Sequence, residues 1–253
     1  METQELTLLN RNGKRMPATL RVPSGDSKGL AVVLHGLGGW KDQYVVVAAA
    51  QGACDAGFTA LTFDASDSAR APDTDFAHST TTGYVEDLED VMAYVRTQGL
   101  SSGPVVLIGH SLGGTVAATY AGKNPQQVSR VVLLAPAVSW KLYTKAFLPY
   151  ALWWFVFDAH KTPGPEGVRL PLKRSWLIDF ARYDIRRNWS HISVPVLVII
   201  AGADNFIGTT VALQRFAKGF AQGTSVVIKK ANHTFYTRDK EVTDTIKTWL
   251  TSS

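Results

Sequence analysis

The sequence predicts an α/β protein: a mostly parallel central sheet flanked by helices, with one inserted cap. Three observations predict it. Six short apolar or β-branched runs, each bounded by turn residues, read as buried strands. Stretches with helical spacing of apolar residues alternate with them. One segment, 138–188, breaks the alternation with a concentration of Trp, Tyr, Phe and Pro.

In chain order, residues 5–21 read as an antiparallel hairpin turning at Asn12-Gly13. A strand over 30–34 precedes a helix over 41–56, which Gly57 ends. The next strand is 59–63. A helix over 82–98 carries Leu88, Val91, Met92 and Val95 on one face and stops at Gly99. Strand 105–108, helix 112–122 before Asn124-Pro125, and strand 131–134 follow. Beyond the interruption come strand 194–200, helix 209–220, strand 225–229 and helix 241–250. Strands that alternate with helices imply right-handed crossovers and a parallel sheet covered on both faces. The expected organisation is a core of residues 1–137 and 189–253, with 138–188 as a cap or lid. Its aromatics Trp153, Trp154, Phe155 and Phe157 would line a pocket for an apolar or aromatic group.

Composition narrows the function. At 253 residues, 45% hydrophobic and 19% charged, the chain matches an ordinary globular domain. The single cysteine, Cys54, allows no intrachain disulfide, argues against a Cys-built zinc site, and reads as a small core residue. The net charge is +5, but the basic residues are scattered and no groove-reading motif accompanies them, so no nucleic-acid partner is expected. No apolar run reaches the ~20 residues of a membrane span. The N-terminus lacks the basic and apolar regions of a secretion signal, so the expected location is cytoplasmic.

Gly109-His110-Ser111-Leu112-Gly113-Gly114 follows a strand and opens a helix. In that context G-x-S-x-G forms a sharp turn that lifts a serine hydroxyl above the sheet. Flanking glycines remove Cβ atoms that would collide. The helix start offers free N–H groups to an oxyanion. A second glycine-rich loop, Leu34-His35-Gly36-Leu37-Gly38-Gly39, follows another buried strand. The Leu37 and Leu112 N–H groups are therefore the expected oxyanion hole, with His35 bracing the loop. A nucleophilic serine needs a base and an orienting acid. Of His35, His78, His110, His160, His191 and His233, only His233 follows the last strand at the sheet edge where such sites assemble. His110 adjoins the serine and would point elsewhere. Asp204, in Ala201-Gly202-Ala203-Asp204-Asn205, follows the preceding strand at that edge. The expected triad is Ser111, Asp204 and His233.

These motifs, with Asn232-His233, resemble the α/β-hydrolase superfamily over essentially the whole chain. Residues 73–76 and 80–87 are similar to the feruloyl/cinnamoyl esterase branch. The resemblance implies ester hydrolysis through a serine acyl-enzyme, a small-molecule ester as substrate, and no metal or organic cofactor. One stretch departs from the pattern. Where many relatives carry a glycine-rich Arg-Gly-x-Gly-x-Ser turn, this chain has Asp64-Ala65-Ser66-Asp67-Ser68-Ala69-Arg70. Three rival readings stand beside the esterase. The monoacylglycerol lipase and lysophospholipase branch shares the elbow, and 147–157 would then dock on a lipid interface. A ligand receptor on the same fold would keep the pocket with little catalysis. Acyl transfer would use the same residues as hydrolysis. Oligomeric state is open.

Overall fold

A computed structural model describes residues 2–101, 103–139, 160–163, 167 and 169–252. Among the described residues eight strands form one sheet in the order β1-β2-β4-β3-β5-β6-β9-β10. They are β1 (Glu2–Leu9), β2 (Arg15–Val22), β3 (Leu30–Leu34), β4 (Thr59–Phe63), β5 (Val105–His110), β6 (Val128–Leu134), β9 (Val196–Ala201) and β10 (Gly223–Ile228). The pairs β1·β2 and β2·β4 are antiparallel, and the remaining neighbours run parallel. Every residue of β3, β4, β5 and β9 is buried. Burial on both faces is why these strands read as unbroken apolar runs rather than alternating ones.

Among the described residues the helices are α1 (Tyr44–Asp55), α2 (Thr81–Thr97), α3 (Leu112–Lys123), α4 (Arg174–Phe180), α5 (Thr210–Ala217) and α6 (Asp239–Thr251). Two begin on threonine caps: the Thr80 hydroxyl accepts the Gly83 N–H at 2.9 Å and that of Thr209 accepts the Ala212 N–H at 3.2 Å. No described helix is long and apolar enough to cross a membrane. Cys54 is buried at the end of α1, as expected for a core residue.

Strand order reverses at β3. The chain leaves β3 for β4 on one side and returns to β5 on the other. The carboxyl ends of β3 and β5 therefore flank a topological switch point, where an open α/β sheet leaves a crevice.

Two details differ from the sequence expectation. The first hairpin does turn at Asn12-Gly13, with the Gly13 N–H on Asn10 O at 2.8 Å and Gly13 at φ 75°, but the loop between the strands spans five residues, 10–14, since Leu9 pairs with Arg15. The Asn10 side chain holds the loop: its Oδ1 accepts the N–H of Asn12 and Lys14, each at 3.0 Å. Within 138–188, where no clean strand is visible in the sequence, β7 (His160–Pro163) and β8 (Arg169–Leu172) pair antiparallel. Four-residue strands are too short to show an alternating pattern. Leu172, Trp176, Leu177, Phe180 and Ile185 of that segment are buried in the same apolar cluster as the sheet strands.

Candidate active site

Ser111 sits between β5 and α3 with φ 52° and ψ −114°. A side-chain-bearing residue there is strained, as the sharp strand-to-helix turn expected at this position requires. Three backbone hydrogen bonds clamp it: Ser111 N–H to Leu134 O at 2.9 Å, and Gly114 and Ala137 N–H to Ser111 O, each at 3.0 Å. The turn closes only without neighbouring side chains. A Cβ on Gly109 would lie 2.3 Å from Gly113 O, and one on Gly113 2.5 Å from His35 O.

Asp204 follows β9 and His233 follows β10, at the same edge of the sheet as Ser111. Their loops are bonded to each other: Ala203 N–H reaches Ala231 O at 2.8 Å, and Gly202 N–H reaches Ile228 O at 2.9 Å. His233 Nδ1 lies 2.7 Å from Asp204 Oδ2, and its Nε2 lies 2.9 Å from Ser111 Oγ. The Asp204 side chain is 2% exposed and that of His233 20%. The carboxylate is thus shielded, while the imidazole remains reachable. The other oxygen, Asp204 Oδ1, accepts the Phe206 N–H at 2.7 Å. The Phe206 ring stacks on the His233 ring, 5.6 Å between centroids at 22°.

The second glycine-rich loop closes as a turn, Gly39 N–H to Gly36 O at 3.0 Å, with Gly38 at φ 70°. A positive φ at the third position is what a type II turn requires and glycine supplies. Leu37 and Leu112 line one cleft together with Phe76, Tyr84 and Trp176. Neither the Leu37 nor the Leu112 N–H has an acceptor among the described residues. The predicted pocket residues Trp153, Trp154, Phe155 and Phe157 lie outside the described residues. Among the described residues no cluster of three or more His, Cys, Asp and Glu is placed to hold a metal ion.

Two further histidines brace the site. His35 Nδ1–H donates to Gly36 O at 2.8 Å, and its Nε2 accepts the Ala65 N–H at 3.2 Å. This fixes a neutral imidazole under the loop, as the sequence suggested. His110 does point away from the Ser111 hydroxyl, but its place is informative. Its Nε2–H donates to the His233 carbonyl at 2.9 Å. Its Nδ1 is buried without a partner among the described residues, close to Gly36, where an added Cβ would lie 3.0 Å away. His110 therefore ties the elbow to the loop that carries His233 and packs against the Gly36 turn. No sequence signal marked that link. The Phe206 contact was legible, since an Asp that accepts the N–H two residues on is an Asx-turn, and Asp204-Asn205-Phe206 has that spacing.

Burial pushes the His35 pKa from 6.5 down to about 4 and that of His110 down to about 3. The unfolded chain then binds more protons across the window from about 6.5 to these values, so their contribution is complete above it and is lost as pH falls. Asp64 runs the other way, its carboxyl pushed up to about 6 by burial, which offsets part of the loss. The expected net result is on the order of 2–3 kcal/mol less stability at pH 4.5 than at pH 7.5. Urea midpoints at the two pH values check this, and equal midpoints would contradict it.

The serine aminopeptidase S33 family model, Hydrolase_4, matches residues 25–165. Among solved structures, Est1E from Butyrivibrio proteoclasticus with ferulic acid bound is 18% identical, with 97% of each chain covered and a TM-score of 0.82. The esterase domain of a Rhodothermus marinus protein is 19% identical, with 98% of each chain covered and a TM-score of 0.73. Lipase LipV of Mycobacterium tuberculosis is 57% identical over 47 residues, which are 19% of this chain and only 17% of that lipase. The structural likenesses carry the fold, and the family match spans more than half of the chain. A glycine-framed serine at the switch point of this sheet agrees with both: the chain belongs to the Hydrolase_4 family of serine hydrolases and has the α/β-hydrolase fold.

Proposed function

We propose that the chain is a carboxylic-ester hydrolase working through an acyl-enzyme, with small aryl esters of the feruloyl or cinnamoyl kind as substrates. The observation that carries this is the relay from Ser111 Oγ through His233 to Asp204, at 2.9 and 2.7 Å. Ser111 Oγ attacks the ester carbonyl while His233 Nε2 takes its proton. Asp204 holds the other ring nitrogen as N–H and stabilises the imidazolium. The Leu37 and Leu112 N–H groups receive the oxyanion. His233 then protonates the departing alcohol and later activates water against the acyl-enzyme. No metal or organic cofactor enters the scheme. The aryl preference rests on the Phe76, Tyr84 and Trp176 wall beside the oxyanion amides and on the likeness to a protein solved with ferulic acid.

A panel of p-nitrophenyl esters of increasing acyl length, with methyl ferulate alongside, tests the substrate class. Methyl ferulate and short esters should be turned over well, and a preference for long acyl chains would overturn the aryl assignment. A lipase acting at a lipid surface is a second reading, favoured by the LipV match. Strong activation by emulsified glycerides above their micellar threshold would support it. A fluorophosphonate probe that failed to label the protein would point instead to a ligand receptor.

His110 is a positioning residue in this scheme, acting through the His233 backbone. His110→Phe keeps a ring but removes the donor to the His233 carbonyl. It should lower kcat by roughly 10- to 100-fold with little change in KM, the scale expected when a catalytic group shifts by about 1 Å. His110→Gln, whose amide nitrogen reaches the position of Nε2, should recover part of that loss. If kcat of the folded His110→Phe protein holds and only its Tm falls, the role is purely structural.

A further inference from the structure

The loop that carries Leu37 is held at both ends by two consecutive residues just beyond β4. At the upstream end His35 Nε2 accepts the Ala65 N–H at 3.2 Å, and the His35 carbonyl accepts the Tyr84 hydroxyl at 3.1 Å. The Tyr84 ring stacks on the His35 imidazole, 5.0 Å between centroids at 27°. At the downstream end the Lys41 N–H donates to Asp64 Oδ1 at 2.6 Å. The span 35–41 is therefore a closed loop hung on Asp64 and Ala65.

The anchor belongs to the sheet. Phe63 of β4 pairs with Ala18 of β2, and the Asp64 N–H extends that contact to Pro17 O at 2.8 Å. Asp64 is 3% exposed, so water competes little for its bond to Lys41. A backbone N–H on a carboxylate is a strong, charge-assisted bond. The Lys41 ammonium also reaches Thr19 Oγ1 at 2.8 Å and Glu5 at 3.1 Å. Those contacts act through a flexible four-carbon stem, whereas the Asp64 bond fixes the Lys41 backbone itself.

Between the two anchors the loop meets the elbow at one point. A Cβ on Gly36 would lie 3.0 Å from His110 Nδ1 and 3.2 Å from Ser111 Cβ. Leu37 comes next, and Gly38 and Gly39 separate it from the downstream anchor. Two glycines resist bending weakly, so the direction of the Leu37 N–H depends on where Lys41 is held. That direction matters because an oxyanion donor acts only within about 3 Å of the place the charged oxygen will occupy.

We propose that Asp64 is a positioning residue for the oxyanion hole: by accepting the Lys41 N–H it fixes the downstream end of the glycine-rich loop and so directs the Leu37 N–H at the substrate carbonyl oxygen. The proposal rests on the acyl-enzyme reading above. The bond needs an acceptor at Asp64 Oδ1 rather than a charge, which separates the conservative variant from the disruptive ones.

The test compares p-nitrophenyl acetate with its thiono analogue, in which sulfur replaces the carbonyl oxygen. Asp64→Ala should lower kcat on the oxygen ester roughly 10- to 100-fold with little change in KM. Sulfur is a weak acceptor and has less to lose, so the preference for oxygen over sulfur should shrink by about tenfold. Asp64→Asn, whose amide oxygen still accepts the Lys41 N–H, should keep both the rate and the preference. Asp64→Glu moves the acceptor by one methylene, keeps the charge, and should shrink the preference in the same direction; it carries the test should Asp64→Ala fail to fold. An unchanged oxygen-to-sulfur ratio in a folded Asp64→Ala or Asp64→Glu protein overturns the proposal, as does an Asp64→Asn loss equal to that of Asp64→Ala. Fluorophosphonate labelling of Ser111 separates the two levels. Label with an unchanged ratio removes the role of Asp64 alone. Neither label nor ester turnover removes the acyl-enzyme reading, and the role of Asp64 falls with it.

Discussion

Ser111→Ala is expected to reduce kcat on any ester by about 10⁴–10⁶-fold while leaving the fold intact. The size of the effect follows from what is removed. The hydroxyl 2.9 Å from His233 Nε2 is the only nucleophile the proposed relay serves, and residual turnover would come from the oxyanion amides acting on water. The fold survives because the substitution deletes one oxygen and keeps Cβ. The φ of 52° is imposed by the Leu134, Gly114 and Ala137 backbone bonds, which alanine makes equally well. Steady-state rates with p-nitrophenyl acetate and a melting curve check both halves. A variant that keeps the original esterase rate would remove Ser111 from the mechanism.

Asp204→Asn should lower kcat by about 10⁴-fold with small structural consequences. The amide oxygen can still accept the Phe206 N–H and keep the Asx-turn. The amide NH₂ then faces His233 Nδ1 and forces that nitrogen to accept. The proton moves to Nε2, which can no longer take one from Ser111. With the Asp204 side chain 2% exposed, water has little room to restore the original tautomer. Asp204→Ala should lose activity too, and should also lose stability because the Phe206 N–H is left without its acceptor. Pre-steady-state acylation rates together with Tm distinguish the two variants. Equal activity of Asp204→Asn and the unsubstituted protein would show that another group orients His233.

Much of the fold was legible because its signals are local and strong. β3 and β4 begin and end where the apolar runs do, since turn residues bracket strands buried on both faces. The five outer helices lie within a few residues of their expected places, because glycine, proline and threonine caps mark their ends. The convergence of Ser111, Asp204 and His233 was legible through strand–loop position alone. What stayed hidden depends on long-range contact. The bond from His110 to the His233 carbonyl joins residues 123 apart in the chain. The hairpin of β7 and β8 is too short to impose a period. The Asn10 side-chain bonds that reinforce the Gly13 turn of the first loop were hidden as well.

The bonds from Ala203 to Ala231 and from Gly202 to Ile228 have a consequence for thermal inactivation. They fasten the carboxylate's loop to the imidazole's, and the His110 bond to the His233 carbonyl fastens the hydroxyl's elbow to that same loop. The three groups share one anchorage, so gentle warming should release them together. Reactivity toward phosphonates and the strongly deshielded imidazole proton resonance should then fade over the same temperature range.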